Sequence, residues 1–135
     1  MPEYRKPLPV ISALNRPFWE GAKKHELRFQ RCNRCSKFWY PHGPVCPYCW
    51  SREYEWAKVS GRAKVTSWVV FHQRYFEGFK DEMPYSVAQV ELAEGPRFLA
   101  NLVGVKNEDI YIGMPVEVVF DDVTPEVTLP KFRPA

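Results

Sequence analysis

The stretch Cys32-Asn33-Arg34-Cys35-Ser36-Lys37-Phe38-Trp39-Tyr40-Pro41-His42-Gly43-Pro44-Val45-Cys46-Pro47-Tyr48-Cys49 holds all four cysteines of the chain, as two C-x2-C pairs with ten residues between them. A C-x2-C turn brings two sulfurs within reach of one ion, and a second such turn laid alongside completes a tetrahedron of thiolates. Four thiolates leave no position for water, so the expected site supplies folding energy rather than Lewis-acid chemistry. Cys32, Cys35, Cys46 and Cys49 are therefore the expected ligands of one structural zinc ion. A rubredoxin-like iron site and two disulfides are the alternatives, the disulfides being disfavoured by the lack of a secretory signal. His42 lies between the pairs as a substitute ligand that a complete set of cysteines does not require. Arg28, Arg31, Arg34 and Lys37 surround the first pair. They either offset the negative charge of the thiolates or form a solvated basic face.

Working outward, Leu27-Arg28-Phe29-Gln30-Arg31-Cys32 alternates apolar and polar residues as a strand entering the first knuckle, and Phe38-Trp39-Tyr40 reads as its return. Together they predict a rubredoxin-like zinc ribbon. Upstream, Pro2, Pro7 and Pro9 predict an extended arm as far as Leu14. Asn15-Arg16-Pro17 then reads as a helix start, asparagine capping free amides and proline occupying the first turn. Leu14, Phe18 and Ala22 share one face of this short helix, with Trp19 beside them. A stripe of that length cannot bury itself, so it must lie on this chain or on a partner.

Downstream of Val59 the pattern changes to strands. Ala63, Val65, Val69 and Phe71 alternate with Arg62, Lys64, Thr66 and Trp68, and Gly61 offers a place for a bulge. Tyr85 to Leu92, Phe98 to Val105, Val116 to Phe120 and Val127 to Phe132 are further extended pieces, while Gln73 to Pro84 forms an aromatic and charged loop. About five strands in so short a segment predict a small five-stranded OB-fold barrel, with only a single short turn available at Lys106 to Ile112 for its usual helix. The expected division is an arm and helix over 1–26, a ribbon over 27–58 and a barrel with its tail over 59–135. The fold class is thus mainly β, with one short N-terminal helix.

Composition agrees with that class. The 135 residues are 45% hydrophobic and 26% charged, enough for one domain with a small appended module. Thirteen prolines against seven glycines, with 16% aromatics, argue against a helical bundle and for an aromatic surface that a partner covers. No apolar run is long enough to span a membrane, and the start lacks a signal-peptide core, so the expected compartment is the cytoplasm. The net charge of +3 conceals a basic half before Lys58 and an acidic half after it. The first suggests an anionic ligand or an acidic partner, and the second opposes a grip on a nucleic-acid backbone.

Nucleophilic chemistry has little support. There is no G-x-S-x-G, no glycine-rich phosphate loop, and His25, His42 and His72 sit in separate settings. His72 with Asp81 or Glu82 is the best acid–base grouping, and a surface histidine is its plainer reading.

The zinc ribbon followed by an OB barrel, with Pro84-Tyr85-Ser86-Val87-Ala88-Gln89-Val90-Glu91-Leu92, Glu94-Gly95-Pro96-Arg97, Gly113-Met114-Pro115-Val116-Glu117-Val118-Val119-Phe120 and the ending Leu129-Pro130-Lys131-Phe132-Arg133-Pro134, resembles the acyl-CoA-associated OB-fold family once catalogued as domain of unknown function thirty-five. The resemblance runs from about Phe18 to Pro134. It implies an accessory subunit that docks on a thiolase-fold partner acting on acyl-CoA thioesters, in a hetero-oligomer whose carbon–carbon chemistry belongs to that partner. Thiolases of aromatic-acid breakdown and aldolases of steroid breakdown are the implied settings, with coenzyme A thioester as the ligand of the complex.

The residues support specific expectations beside it. Lys23, Lys24, Arg28 and Arg31 are candidates for the phosphates of coenzyme A, although no family motif covers them. Phe18, Trp19, Tyr75, Phe76, Phe79 and Tyr85 are candidates for the partner interface, the alternative being that each ring packs on its own core. The competing function is a single-stranded nucleic-acid module, since ribbons and OB barrels both serve that role; the acidic barrel disfavours it.

Overall fold

Helix α1 (Arg16–Lys23) is the first regular element in the computed structural model, which describes Tyr4 and residues 6–135. Met1, Pro2, Glu3 and Arg5, and with them the expected extended start of the arm at Pro2, lie outside the described residues. The helix begins where proline in its first turn allows, but Asn15 does not cap it. Instead Asn15 Oδ1 accepts from Ser12 N–H at 2.7 Å while Ser12 Oγ accepts from Asn15 N–H at 3.3 Å. This reciprocal pair is a capping box one turn earlier than the sequence suggested, because serine three residues ahead of asparagine satisfies two free donors at once. Phe18, Gly21 and Ala22 form the buried face of α1.

The ribbon is a three-stranded antiparallel sheet in the order β2 (Phe38–Trp39), β1 (Arg28–Cys32), β3 (Tyr54–Lys58). The third strand was not anticipated, although Tyr54-Glu55-Trp56-Ala57-Lys58 carries the alternation of one. Its presence puts β1 in the middle of the sheet, and with the common core on one face and the loop at Gly43 on Gln30 both Phe29 and Gln30 are fully buried, so the simple in–out reading of that segment fails. Gln30 is satisfied by a two-way exchange with Gly43, donating to its carbonyl at 2.6 Å and accepting from its N–H at 3.0 Å. That exchange ties the loop between the knuckles to the central strand.

The second sheet has the order β6 (Arg97–Ala100), β5 (Tyr85–Leu92), β4 (Arg62–Phe71), β7 (Pro115–Asp122), β8 (Thr128–Pro134), antiparallel throughout. It curls until its ends meet at a parallel bridge between Leu102 and Phe132, where Val103 N–H donates to Phe132 O at 2.8 Å and Phe132 N–H to Asn101 O at 3.0 Å. This is the five-stranded OB architecture expected from the strand count, an open-sided half-barrel closed at one place. A single 3-10 turn (Asn107–Asp109) stands where the usual helix has no room, and the aromatic loop holds a 3-10 turn of its own (Glu77–Glu82).

Two local expectations need correction. The bulge of β4 is at Thr66, between the pairs Val65↔Val90 and Ser67↔Gln89, and not at Gly61. Thr66 Oγ1 fills the gap by donating to the Gln89 carbonyl at 3.0 Å. One inserted residue reverses the inward face beyond it, so Val69, expected inside, is 56% exposed. Gly61 has a different duty. At φ +81°, a Cβ there would lie 2.4 Å from Val118 Cγ1, so the close approach of β4 and β7 excludes any side chain.

One core serves both sheets. Phe18 of α1, Leu27 and Phe29 of the ribbon, and Val65, Val90, Leu92, Phe98, Val116 and Phe132 of the barrel form a single buried cluster. Among the described residues no helix is long and apolar enough to cross a membrane.

Candidate metal centre and surrounding surfaces

The two knuckles repeat one hydrogen-bond scheme. Ser36 N–H donates to Cys32 O at 3.0 Å and Trp50 N–H to Cys46 O at 2.9 Å, while Cys32 N–H reaches Lys37 O and Cys46 N–H reaches Ser51 O, each at 2.9 Å. Each scheme turns its pair of sulfurs toward the other. The four Sγ atoms lie within 4.8 Å of one another, with Cys32 to Cys49 at 3.5 Å and Cys35 to Cys46 at 3.6 Å. Bonds of about 2.3 Å to a tetrahedral zinc ion require sulfur–sulfur edges of about 3.8 Å, so this donor set fits that ion with small adjustments. All four cysteines are free thiols, and the shortest separations far exceed the disulfide length of about 2.05 Å, which sets the disulfide alternative aside.

The backbone prepares the thiolates. Cys35 N–H and then Arg34 N–H donate to Cys32 Sγ, at 3.4 and 3.3 Å, and hold its pKa down to about 6. At Cys46 burial acts upward, but the amides of Cys49 and Tyr48 outweigh it and the net direction is down. Cys49 goes the other way, to about 11: the Ser51 amide favours its thiolate, yet burial and the neighbouring sulfurs keep its proton in place. A cation replacing the shared protons relieves this competition.

His42 takes no part in the sulfur cluster. It lies among Phe18, Trp56 and Tyr40, with ring centroids 4.8, 5.0 and 5.2 Å away, and burial pushes its pKa down to about 4. Its Nδ1 is buried without a hydrogen-bond partner among the described residues. The role of Gln30 in holding this loop had no motif to announce it; only a polar residue inside an otherwise apolar strand hinted at it.

The remaining expected site residues divide. Phe18, expected on a partner interface, is 3% exposed and packs on Phe29 and Phe98, so it is a core residue. Trp19 is half-buried against the same core. Tyr75 and Phe76 are exposed, whereas Phe79 and Tyr85 stack with centroids 4.7 Å apart, and Tyr85 continues onto Phe71 at 5.0 Å. That stack holds the loop from beneath, and Lys6 reaches it through the Phe79 ring and through Glu82. His72 makes no bond to Asp81 or Glu82 among the described residues, which leaves the acid–base grouping unassembled.

The four basic candidates do not converge. Lys23 borders a shallow groove with Trp19, Glu20 and Glu126. Lys24 is exposed after the helix end, and Arg28 is held by Glu26 at 2.8 Å with its stem pressed on Gly21. Arg31, on the opposite face of β1 from Arg28, lies over the Phe38 ring at 5.7 Å.

Comparison with known proteins places these features in a family. Residues 19–55 match the family described as the ChsH2 rubredoxin-like zinc ribbon domain, and residues 56–121 match the ChsH2 C-terminal OB-fold domain. A probable enoyl-CoA hydratase alpha subunit of Thermomonospora curvata is 42% identical over 134 residues, 99% of this chain and 41% of that protein. The benzoylsuccinyl-CoA thiolase subunit BbsA of Thauera aromatica is 32% identical over 78 residues, 58% of this chain and 52% of its own length. The chain thus spans about two-fifths to one-half of these curated relatives. Among solved structures, a chain of the Ltp2-ChsH2(DUF35) aldolase superposes with a TM-score of 0.86 at 42% identity, covering 94% of this chain and 98% of that one.

Proposed function

This chain belongs to the ChsH2 (DUF35) family of zinc-ribbon and OB-fold proteins, and from that premise we propose that it is a zinc-binding accessory subunit of a cytoplasmic thiolase-fold enzyme acting on acyl-CoA thioesters. The observation that carries this reading is the correspondence of almost the whole chain to the ChsH2 chain of an aldolase that contains Ltp2. The thiolase subunit from Thauera aromatica supports the same class of partner. The substrate is a β-keto or β-hydroxy acyl-CoA of aromatic or steroid breakdown, and the groups that make or break its carbon–carbon bond reside on the partner.

Each part of the chain then has a task. Cys32, Cys35, Cys46 and Cys49 hold one zinc ion, which supplies cross-linking of the two knuckles. The ribbon, so braced, buries Phe29 in the common core and fixes the orientation of the barrel. Tyr75 and Phe76, held up by the stack of Phe79 on Tyr85, offer exposed rings to the partner, with Trp19 as a further contact. Lys23 and Lys24 make no ion pair among the described residues, whereas Glu26 holds Arg28, so the two lysines are the better candidates for the phosphates of coenzyme A.

Co-expression with a thiolase-fold subunit tests this. A stoichiometric complex that cleaves or joins acyl-CoA chains is expected, and Tyr75→Ala with Phe76→Ala weakens its assembly by roughly tenfold or more. Turnover of thioesters by the isolated, metal-loaded chain, or failure to associate with any such subunit, overturns the assignment.

A further inference from the structure

The residue following the second cysteine of each knuckle adopts the left-handed conformation, Ser36 at φ +66° and Trp50 at φ +67°. Glycine holds this conformation without steric cost, and a side chain there crowds the following carbonyl. In the first knuckle the side chain is the small hydroxymethyl of serine. In the second it is an indole, 80% exposed, with no aromatic ring stacked on it among the described residues. The backbone thus carries a strained residue whose ring pairs with no aromatic ring among the described residues. Such strain is retained where surroundings or function require the side chain.

The setting of Trp50 indicates what it meets. Tyr48, in the same knuckle, is 56% exposed and carries Lys37 Nζ at 4.7 Å over its ring. Arg34 of the first knuckle and Arg52, two residues after Trp50, are exposed, and the two segments are tied by Asn33 N–H, which donates to the Glu53 carbonyl at 2.9 Å. From Leu27 through Arg52 the chain contains no aspartate or glutamate. None of Arg31, Arg34, Lys37 and Arg52 is paired with a carboxylate among the described residues. The two net negative charges of a filled site, with Glu53 and with Glu55 opposite Arg31 in the sheet, balance these four cations in number, but Arg34 and Lys37 stand exposed in a stretch that has no acidic residue of its own. Exposed tryptophan and tyrosine on a segment that also carries arginine match the residue types enriched at protein interfaces.

We propose that the tip of the zinc ribbon is a second docking surface, with Trp50 as its anchor, for an acidic face of the thiolase-fold subunit that offers an apolar slot to the indole. This rests on the function proposed above and adds to it a contact remote in sequence from Tyr75 and Phe76. A protein fits better than a nucleic acid, because a polyanion needs a groove that tracks its backbone. Here the cations stand on a turn, and the barrel beyond it is acidic.

Affinity of the metal-loaded chain for the thiolase-fold subunit, measured by calorimetry at low and high salt, tests the proposal. Trp50→Gly should raise the thermal midpoint of the isolated chain, since it relieves the backbone, while weakening the complex by roughly tenfold or more. A merely structural role moves both in the same direction. Trp50→Ala should weaken the complex similarly, and Arg34→Glu with Lys37→Glu should weaken it chiefly at low salt. Affinities within about twofold of wild type for both Trp50 variants overturn this inference while leaving the accessory role intact. Failure of the wild-type pair to associate overturns both. Tight binding of oligo-dT that Trp50→Ala abolishes also overturns it, in favour of a nucleic-acid surface.

Discussion

Phe29 of the ribbon and Phe98 of the barrel stand with ring centroids 5.5 Å apart at 48°, and Phe18 of α1 lies within 6.0 Å of both. Three segments distant in sequence meet at these rings, so the ribbon is a wall of the barrel's core rather than a module hung from it. Phe29→Ala is expected to cost about 3–5 kcal/mol. Ribbon and barrel should still unfold together, as a single urea transition seen alike by circular dichroism and by tryptophan fluorescence. Two separated transitions in the wild-type protein contradict the shared core.

Metal content gives a second check. Purified protein is expected to contain about one zinc per chain, and Cys46→Ser should lose it together with the ribbon's fold. Strong chelation should do the same to the wild type. Protein that stays fully folded after chelation removes the structural role of the ion.

Gly61 leaves no room for a Cβ. Gly61→Ala combines an unfavourable positive φ with a collision on Val118, and is expected to cost about 2–4 kcal/mol in urea unfolding. Val118→Ala in the same chain should return the steric part and leave the conformational part. No recovery in the double variant assigns the whole cost to the dihedral angle.

Acid should act in two windows. Burial puts His42 at about 4 in the folded protein, against about 6.5 in an unfolded chain. The folded value is the lower, so this contribution to stability is whole above about pH 6.5 and is lost as pH falls toward about 4. His42→Phe should flatten that slope when urea midpoints are measured across the window. Asp122 acts below it. The Thr128 hydroxyl, and then His25, hold its carboxyl under the ordinary range, so its contribution is present above the unfolded value of about 3.9 and disappears as pH falls through the folded one. Asp122→Asn should therefore lower stability at neutral pH and converge with wild type in strong acid. An unchanged slope in His42→Phe shows that the buried imidazole is not the titrating group.

Local signals were readable where they concern neighbours along the chain. Cys32, Cys35, Cys46 and Cys49 announce a four-sulfur site because C-x2-C spacing constrains two ligands by itself. Tyr85 to Leu92 shows its alternation because both of its neighbours in the sheet are strands and one face is buried. Arg16-Pro17 marks the helix start because proline tolerates only such positions. What was misread depended on partners far away. Val69 changed faces because of one extra residue at Thr66, and Gln30 became a core residue because the loop at Gly43 closes on its side chain. Phe18, an apparent interface ring, found Phe29 and Phe98 instead.

The amino-acid order alone determined the ion-binding pattern, the strand-rich class and the charge asymmetry, since spacing, alternation and composition are properties of adjacent residues. Only the tertiary structure decided which aromatic rings are core and which are surface. It also decided that Lys23, Lys24, Arg28 and Arg31 do not converge on one site, and that Trp50 stands exposed on a strained turn. Those outcomes are set by packing between segments brought together in folding, and a ring buries itself wherever that packing first removes it from water.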